Sequence, residues 1–320
     1  RRSFKHATTI TAIFILVIII FNSFISMSYA NNMSVWDATY KNLDIVVANK
    51  TNQLYSYLDT LKENAENVTD DSLMTKFFQL QHKYYQLKQE NKTTRRLTEL
   101  IGKLDDTIKQ HYIHTYLKFY DILFINNDGD IFYTIKKQPD YLKNIFTSEF
   151  ERLSFPKKIR SFPERSFVDY QYYPISNEPS AFFIQPFYEK GSKIGWIAFQ
   201  CSINNINRLF ARNNLLGVTG EVVLVNRDHY LLTDSRFTPE TSILKQQLPE
   251  QNIESKFRQG CGHKSVIDYR GHRVLSSFKV CQVFDCEWLI IAKIDESEVI
   301  TNYYMQNSNR LYNKMMELVK

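Results

Sequence analysis

Residues 166–201 read SFVDYQYYPISNEPSAFFIQPFYEKGSKIGWIAFQC. Three short aromatic and β-branched runs, SFVDYQYYP, AFFIQPFYE and KIGWIAFQC, are separated by Ser176-Asn177-Glu178-Pro179 and by Lys190-Gly191-Ser192. Side chains of these types suit a pleated, half-buried surface, and turn residues interrupt them too often for helices, so the stretch predicts an antiparallel meander. A helix-like link, INNINRLFARNN, follows, and GVTGEVVLVNRDHYLLTDSRF (217–237) opens a second hairpin. In this second unit VVLVN, HYLLTD, HKSVIDYR, RVLSSFKV and CEWLIIAKI are expected as five strands.

Upstream, YDILFINN and DIFYTI flank Asn127-Asp128-Gly129-Asp130, a hairpin turn in which Gly129 tolerates the positive φ that tight turns require. The acidic residues there also bring a calcium loop to mind, but no EF-hand ligand series follows them. Pro139 to about Phe155 reads as mixed helical or irregular chain. Between Ser34 and Glu66 apolar residues recur at helical intervals (Val35, Ala38, Leu43, Val46, Val47, Leu54, Tyr57, Leu58, Leu61), which predicts one long amphipathic helix. The run 67–71 interrupts it. Asp71 or Ser72 then caps a second helix to about Gln89, and a third runs from Thr94 to about His114. Glu296 onward returns to helix. The fold class is therefore α+β: a long scaffold helix carrying two tandem antiparallel-sheet modules.

Ala7 to Met27 is uncharged, dominated by Ile, Phe, Val and Leu, and close to the ~20 residues that cross a bilayer. Arg1, Arg2 and Lys5 precede it, so a transmembrane helix here places everything after about residue 30 in the periplasm or extracellular space. A cleaved signal peptide is the alternative reading, since Ser28-Tyr29-Ala30 resembles a small-x-small cleavage site. The chain starts on Arg1 rather than Met, as expected of a piece of a longer protein. The net charge of +6 is diffuse and half of it comes from those three residues, with no basic stripe bearing interleaved aromatics, so no nucleic-acid partner is expected. An enzyme is not expected either: G-x-S-x-G, H-E-x-x-H and P-loop patterns are all absent from the sequence. No cofactor or metal is expected, because C-x-H with C-x4-C at Cys261, His263, Cys281 and Cys286 is not a zinc spacing. Cys281 and Cys286 flank the turn QVFD and are candidates for a disulfide across it, while Cys201 reads as a buried thiol.

The order of these elements, with TGE…LV…L…SRF at the junction and DYRG…V…W-L-I-A-x-I-D near the end, resembles the double CACHE sensor region of bacterial transmembrane receptors. The resemblance implies a membrane anchor at 1–30, a long helix and bundle at 31–114, and a membrane-distal PAS-like module at 115–212 that normally holds the ligand. It further implies a membrane-proximal PAS-like module at 213–300, and a helix at 301–320 leading toward a second transmembrane segment. Sensing of a small polar ligand and signalling to a cytoplasmic output domain outside this chain are expected, in a homodimer packed through the N-terminal helix along Val35, Leu43, Val46 and Leu54. The alternative is a secreted or periplasmic soluble binding protein. Members that bind amino acids share an Arg-x-Trp-Tyr cluster ahead of the central strands. Here residues 160–167 read RSFPERSF, so amino-acid recognition is not carried over.

Strand alternation nominates the ligand contacts. Asp169, Gln171 and Tyr173 share a face of the first meander strand, Gln185 lies with Ala181, Phe183 and Phe187, and Gln200 lies with Trp196 and Ala198. Polar groups set among rings are what a small-molecule pocket needs. The candidate site is therefore Tyr133, Arg165, Asp169, Tyr173, Gln185 and Gln200, with Arg165 to clamp a carboxylate, Asp169 to accept from a cation or amide, and Tyr133 as a cap.

Overall fold

The computed structural model describes residues 35–319 apart from 148, 162–163 and 212–215; the expected anchor or signal peptide lies outside these. Helix α1 covers 35–66, about 48 Å at the α-helical rise. It gives way to a 3-10 turn at Asn67–Thr69, in the expected interruption. α2 (Ser72–Gln89) starts because the Asp71 carboxylate accepts from the amides of Leu73 and Met74 at 3.0 and 3.1 Å. α3 (Arg95–His111) starts on the Thr94 hydroxyl, which accepts from the Leu97 amide at 3.3 Å. It ends in one wide turn, Tyr112–Tyr116. Among the described residues no helix is long and apolar enough to cross a membrane.

The first sheet contains β1 (Asp121–Asn126), β2 (Ile131–Thr134), β3 (Ser166–Tyr173), β4 (Glu178–Glu189) and β5 (Ser192–Ser202), ordered β2-β1-β5-β4-β3 and antiparallel throughout. α4 (Ser154–Ser161) precedes β3 and α5 (Asn204–Ala211) follows β5. The second sheet, ordered β6-β9-β8-β7, contains β6 (Glu221–Val225), β7 (Cys261–Ile267), β8 (Arg273–Val283) and β9 (Cys286–Asp295). α6 (Glu250–Gln259) lies before β7 and α7 (Glu296–Val319) after β9.

One expected strand did not form. HYLLTD makes only isolated bridges, Leu231 to Val225 and Tyr230 to Gln247. Leu232 N–H still donates to the Leu224 carbonyl of β6, but Leu231 is taken by the following loop: its N–H donates to the Gln246 carbonyl and its carbonyl accepts from the Leu244 N–H.

The two modules repeat one plan a hundred residues apart. Asp121 opens β1 opposite Gln200, and Glu221 opens β6 opposite Lys293. The Gly129 amide donates to the Asn126 carbonyl at 3.0 Å, and the His229 amide to the Asn226 carbonyl at the same distance. Both turn residues have positive φ, +91° for glycine and 67° for His229. A Cβ on Gly129 would lie 2.4 Å from the Phe146 ring, so this turn needs glycine for space as well as for φ.

In each module one sheet face packs on the scaffold helices. Leu43, Val47, Leu54, Leu58 and Leu61 of α1 join Phe77 and Phe78 of α2 and the sheet residues Phe124, Phe183, Ile197, Leu224, Trp288 and Ile290 in one continuous core. The opposite, cap-side faces are covered separately: by Ile145, Phe150, Phe155 and Ile159 in the first module, and by Leu231, Leu248, Ile253 and Phe257 in the second. Leu43, Val46 and Leu54, expected to line a dimer interface, are buried in their own chain's core. A stripe that serves two sheets cannot also face a second helix.

Candidate functional site

The cap-side face of the first sheet carries the candidate site. Opposite residues of antiparallel strands share a face, so the register settles which side chains meet. Leu123 and Ile125 of β1 sit opposite Ala198 and Trp196 of β5, and Phe182 and Ile184 of β4 extend the same apolar surface. At one end this surface turns polar: Asp121 is opposite Gln200, with Ser180 beside it on β4. Asp140 and the Lys136 amide reach it from the segment after β2, and Tyr173 from the end of β3; Gln138, between them in sequence, donates to the Tyr120 hydroxyl.

Among the described residues, the hydrogen bonds of this cluster are incomplete on the acceptor side. Asp121, fully buried, accepts through Oδ1 from the Ile122 and Lys136 amides at 2.7 and 3.2 Å, while Oδ2 has no donor. Asp140, 1% exposed, accepts through Oδ2 from the Tyr173 hydroxyl at 2.9 Å, and its Oδ1 has none. Gln200 donates through Nε2 to the hydroxyls of Ser176 and Ser180 at 3.0 and 2.8 Å, but its Oε1 accepts nothing. Gln138 is in the same state, its Nε2 donating to the Tyr120 hydroxyl at 2.8 Å and its Oε1 free. A buried acceptor without a donor costs about 1–3 kcal/mol, so several together are not a neutral feature of a core. Burial pushes the Asp121 carboxyl up to about 7, and the nearby Asp140 charge adds to this against the two amides. Burial likewise raises Asp140, outweighing the Tyr173 hydrogen bond. Two buried carboxyls side by side cannot both ionise cheaply without a cation between them.

Of the six residues nominated from sequence, Gln200 and Tyr173 belong to this cluster. The other four lie elsewhere. Tyr133 and Gln185 are on the opposite face: the Tyr133 hydroxyl donates to Asp105 at 2.7 Å and its ring packs edge-on to Phe77, while Gln185 pairs with Ile197 on the scaffold side. Arg165 is more than half exposed and pairs with Glu66 of α1 at 3.4 Å. Asp169 falls where the β3 register slips between Val168 and Gln171, which breaks the alternation that grouped it with Tyr173. Its carboxylate accepts instead from the Trp288 indole N–H of the second module, at 3.0 and 3.1 Å. Asp121 was within reach of the sequence reading, since it alternates with Leu123 and Ile125 in YDILFIN. Asp140 and Gln138 were not, because an irregular segment has no period.

The expected Cys281–Cys286 bridge is absent: all four cysteines are free thiols. The β8–β9 register puts Cys286 opposite Val283 and Cys281 opposite Trp288, two pairs apart along the ladder. Burial raises both thiols, Cys286 to about 12.

The Cache domain family model dCache_1 matches residues 31–303. The chain belongs to this family. The dCache fold is shared with the periplasmic sensory domain of the Campylobacter jejuni chemoreceptor Tlp1, at 11% identity and a TM-score of 0.58, over 83% of this chain and 98% of that one. The ligand-binding domain of the Pseudomonas fluorescens chemoreceptor CtaA, in complex with L-isoleucine, matches at 11% identity and a TM-score of 0.51, over 85% of this chain and 97% of that one. An extracellular ligand binding receptor from Desulfohalobium retbaense matches at 10% identity and a TM-score of 0.51; 79% of this chain is covered, and only 40% of that receptor. Comparison with curated proteins gives no match. By family and by fold, then, the chain is a dCache domain.

Proposed function

We propose that the first module binds a small polar ligand bearing a protonated amine, at the acceptor cluster of Asp121, Asp140, Gln138 and Gln200, with Tyr173 orienting Asp140. The single observation that carries this reading is a pair of neighbouring buried carboxyls, Asp121 and Asp140, each with an oxygen that has no donor among the described residues, as have the side-chain oxygens of Gln138 and Gln200. An ammonium group supplies three donors and the positive charge that lets both carboxyls ionise. The CtaA domain in complex with L-isoleucine, and the ligand-binding domain of Mlp24 with asparagine, hold amine ligands too, which agrees with this class. A carboxylate clamp is not part of the proposal, since Arg165 is engaged with Glu66.

The receptor reading extends this site into a signalling unit: residues 7–27 anchor the chain, the modules lie outside the membrane, and α1 and α7 carry the response to a cytoplasmic output domain. α1 joins both sheets in one core, so closure around a ligand in the first module strains the same helix that supports the second. Dimerisation through α1 then uses its outer face, around Ala38, Ile45 and Asn52, rather than the buried stripe.

Thermal-shift screening of the full chain in detergent against a library of amines tests the site. A ligand at a hundredfold excess over Kd is expected to stabilise by about 2.7 kcal/mol. Asp121→Asn and Asp140→Asn are each expected to abolish the shift. Binding should also strengthen as pH rises through about 7, where Asp121 ionises. Amine hits that survive both substitutions would place the site elsewhere.

A further inference from the structure

The second module has the same cap-side layout with a different charge. Between α6 and the sheet lies a cavity of about 40 Å³ whose walls include Val223, Leu248, Ile253, Val274 and Ile291. Lys256 of α6 also lines it and is 2% exposed. Among the described residues the Lys256 ammonium has no hydrogen-bond or ion-pair partner; its one close polar-type contact is the Phe278 ring, 5.5 Å away.

The neighbouring charges do not balance it. Lys293 takes Glu221 and Asp268 at 3.1 and 2.6 Å. Arg270 takes the same Asp268 at 2.8 Å, and the Tyr269 hydroxyl donates to Glu221 at 2.9 Å. Lys256 and Lys293 thus line a cavity whose own carboxylate, Asp268, is already engaged, and nearby Lys264 donates to the Ser255 hydroxyl at 2.9 Å. Lys256 therefore has a buried side chain and an ammonium with no protein partner among the described residues, which suits it to pair with an anion in the cavity.

We propose that this cavity is a second small-molecule site, separate from the amine site of the first module. Its ligand is a short-chain monocarboxylate whose carboxylate pairs with Lys256 and whose alkyl end lies on Val223, Ile253, Val274 and Ile291. The cavity has room for roughly three water-sized groups, enough for the alkyl end of acetate or propionate beside a carboxylate at Lys256. The apolar walls and the single free cation disfavour sulfate or phosphate, whose second charge would stay unpaired. Burial, with Lys264 and Lys293 nearby, lowers the Lys256 ammonium to about 8, so most of it is still charged at neutral pH.

Calorimetric titration of the full chain with sodium propionate, against sodium chloride and sodium sulfate at matched ionic strength, tests the site. Saturable binding of propionate alone is expected. Lys256→Met, which keeps the stem and removes the charge, is expected to weaken it at least about tenfold, the worth of one charge-assisted hydrogen bond. The variant's circular dichroism and melting midpoint establish that it is folded; removing an unpaired buried charge should leave the midpoint equal or higher. Asp140→Asn should leave propionate binding intact, which separates this result from failure of the amine site. Absence of saturable propionate binding, equal binding of sulfate or chloride, or unchanged binding in folded Lys256→Met would each overturn the proposal.

Discussion

A single carboxyl sets the chemistry of the first module. Asp121 opens a buried strand where alternation calls for an apolar side chain, and half of its hydrogen-bonding capacity is empty. Its folded value of about 7 lies above the ordinary carboxylate range, so ionisation favours the unfolded chain. The stability it contributes is fully present below about pH 4 and is lost as pH rises through about 7. Urea midpoints of the ligand-free protein should therefore fall across that window, by an amount on the order of a few kcal/mol at most, and Asp121→Asn should flatten the fall. Identical pH slopes for the two proteins would remove Asp121 as the cause.

At the scale of elements, α1 decides the architecture. Its buried stripe recurs at helical spacing from Leu43 to Leu61 and packs against both sheets. Leu54 is fully buried in the middle of that stripe. Leu54→Ala is expected to cost about 2–5 kcal/mol, as deletion of a fully packed side chain does, and to lower one shared unfolding transition rather than one module's. Two separated transitions in a calorimetric scan of Leu54→Ala would show that the modules do not share a core. The outer face of the helix, largely polar around Ile45, is what remains for a partner.

At the scale of the molecule, the modules are joined by side chains as well as by α1. The Trp288 indole N–H donates to Asp169, the Phe284 ring lies 4.9 Å from Phe167 and 4.8 Å from Phe183, and Lys158 pairs with Asp285. Burial pushes the Asp169 carboxyl up to about 6 despite the indole hydrogen bond, so this contact holds a half-buried carboxyl between the modules. Trp288→Phe leaves that carboxylate short of a donor and should destabilise by about 1–3 kcal/mol. Combined with Asp169→Asn in a double-mutant cycle, the pair should show a coupling of about 0.5–3 kcal/mol. Additive effects would mean that the contact carries no energy between the modules.

The sequence by itself determined most of the element types and their order, because those rest on local signals; it did not mark α4 or α6, and it read HYLLTD as a strand. Helical spacing marks α1, Asp71 and Thr94 mark helix starts, and Asn127-Asp128-Gly129 marks the first hairpin; periodicity and turn chemistry act over a few residues. Residue identity also showed which side chains share a face of one strand, as with Trp196, Ala198 and Gln200. What it left open was which faces of different strands coincide, and that depends on register between residues far apart. Gln185 and Gln200 went to opposite sides for this reason, and the slip in β3 turned Asp169 away from Tyr173 and toward Trp288. Likewise the apolar stripe of α1 was visible, but only packing decided that it meets two sheets of its own chain rather than a second helix. The acceptor cluster and the Lys256 cavity are tertiary in the same sense: a missing partner is a property of space, and no local pattern records it.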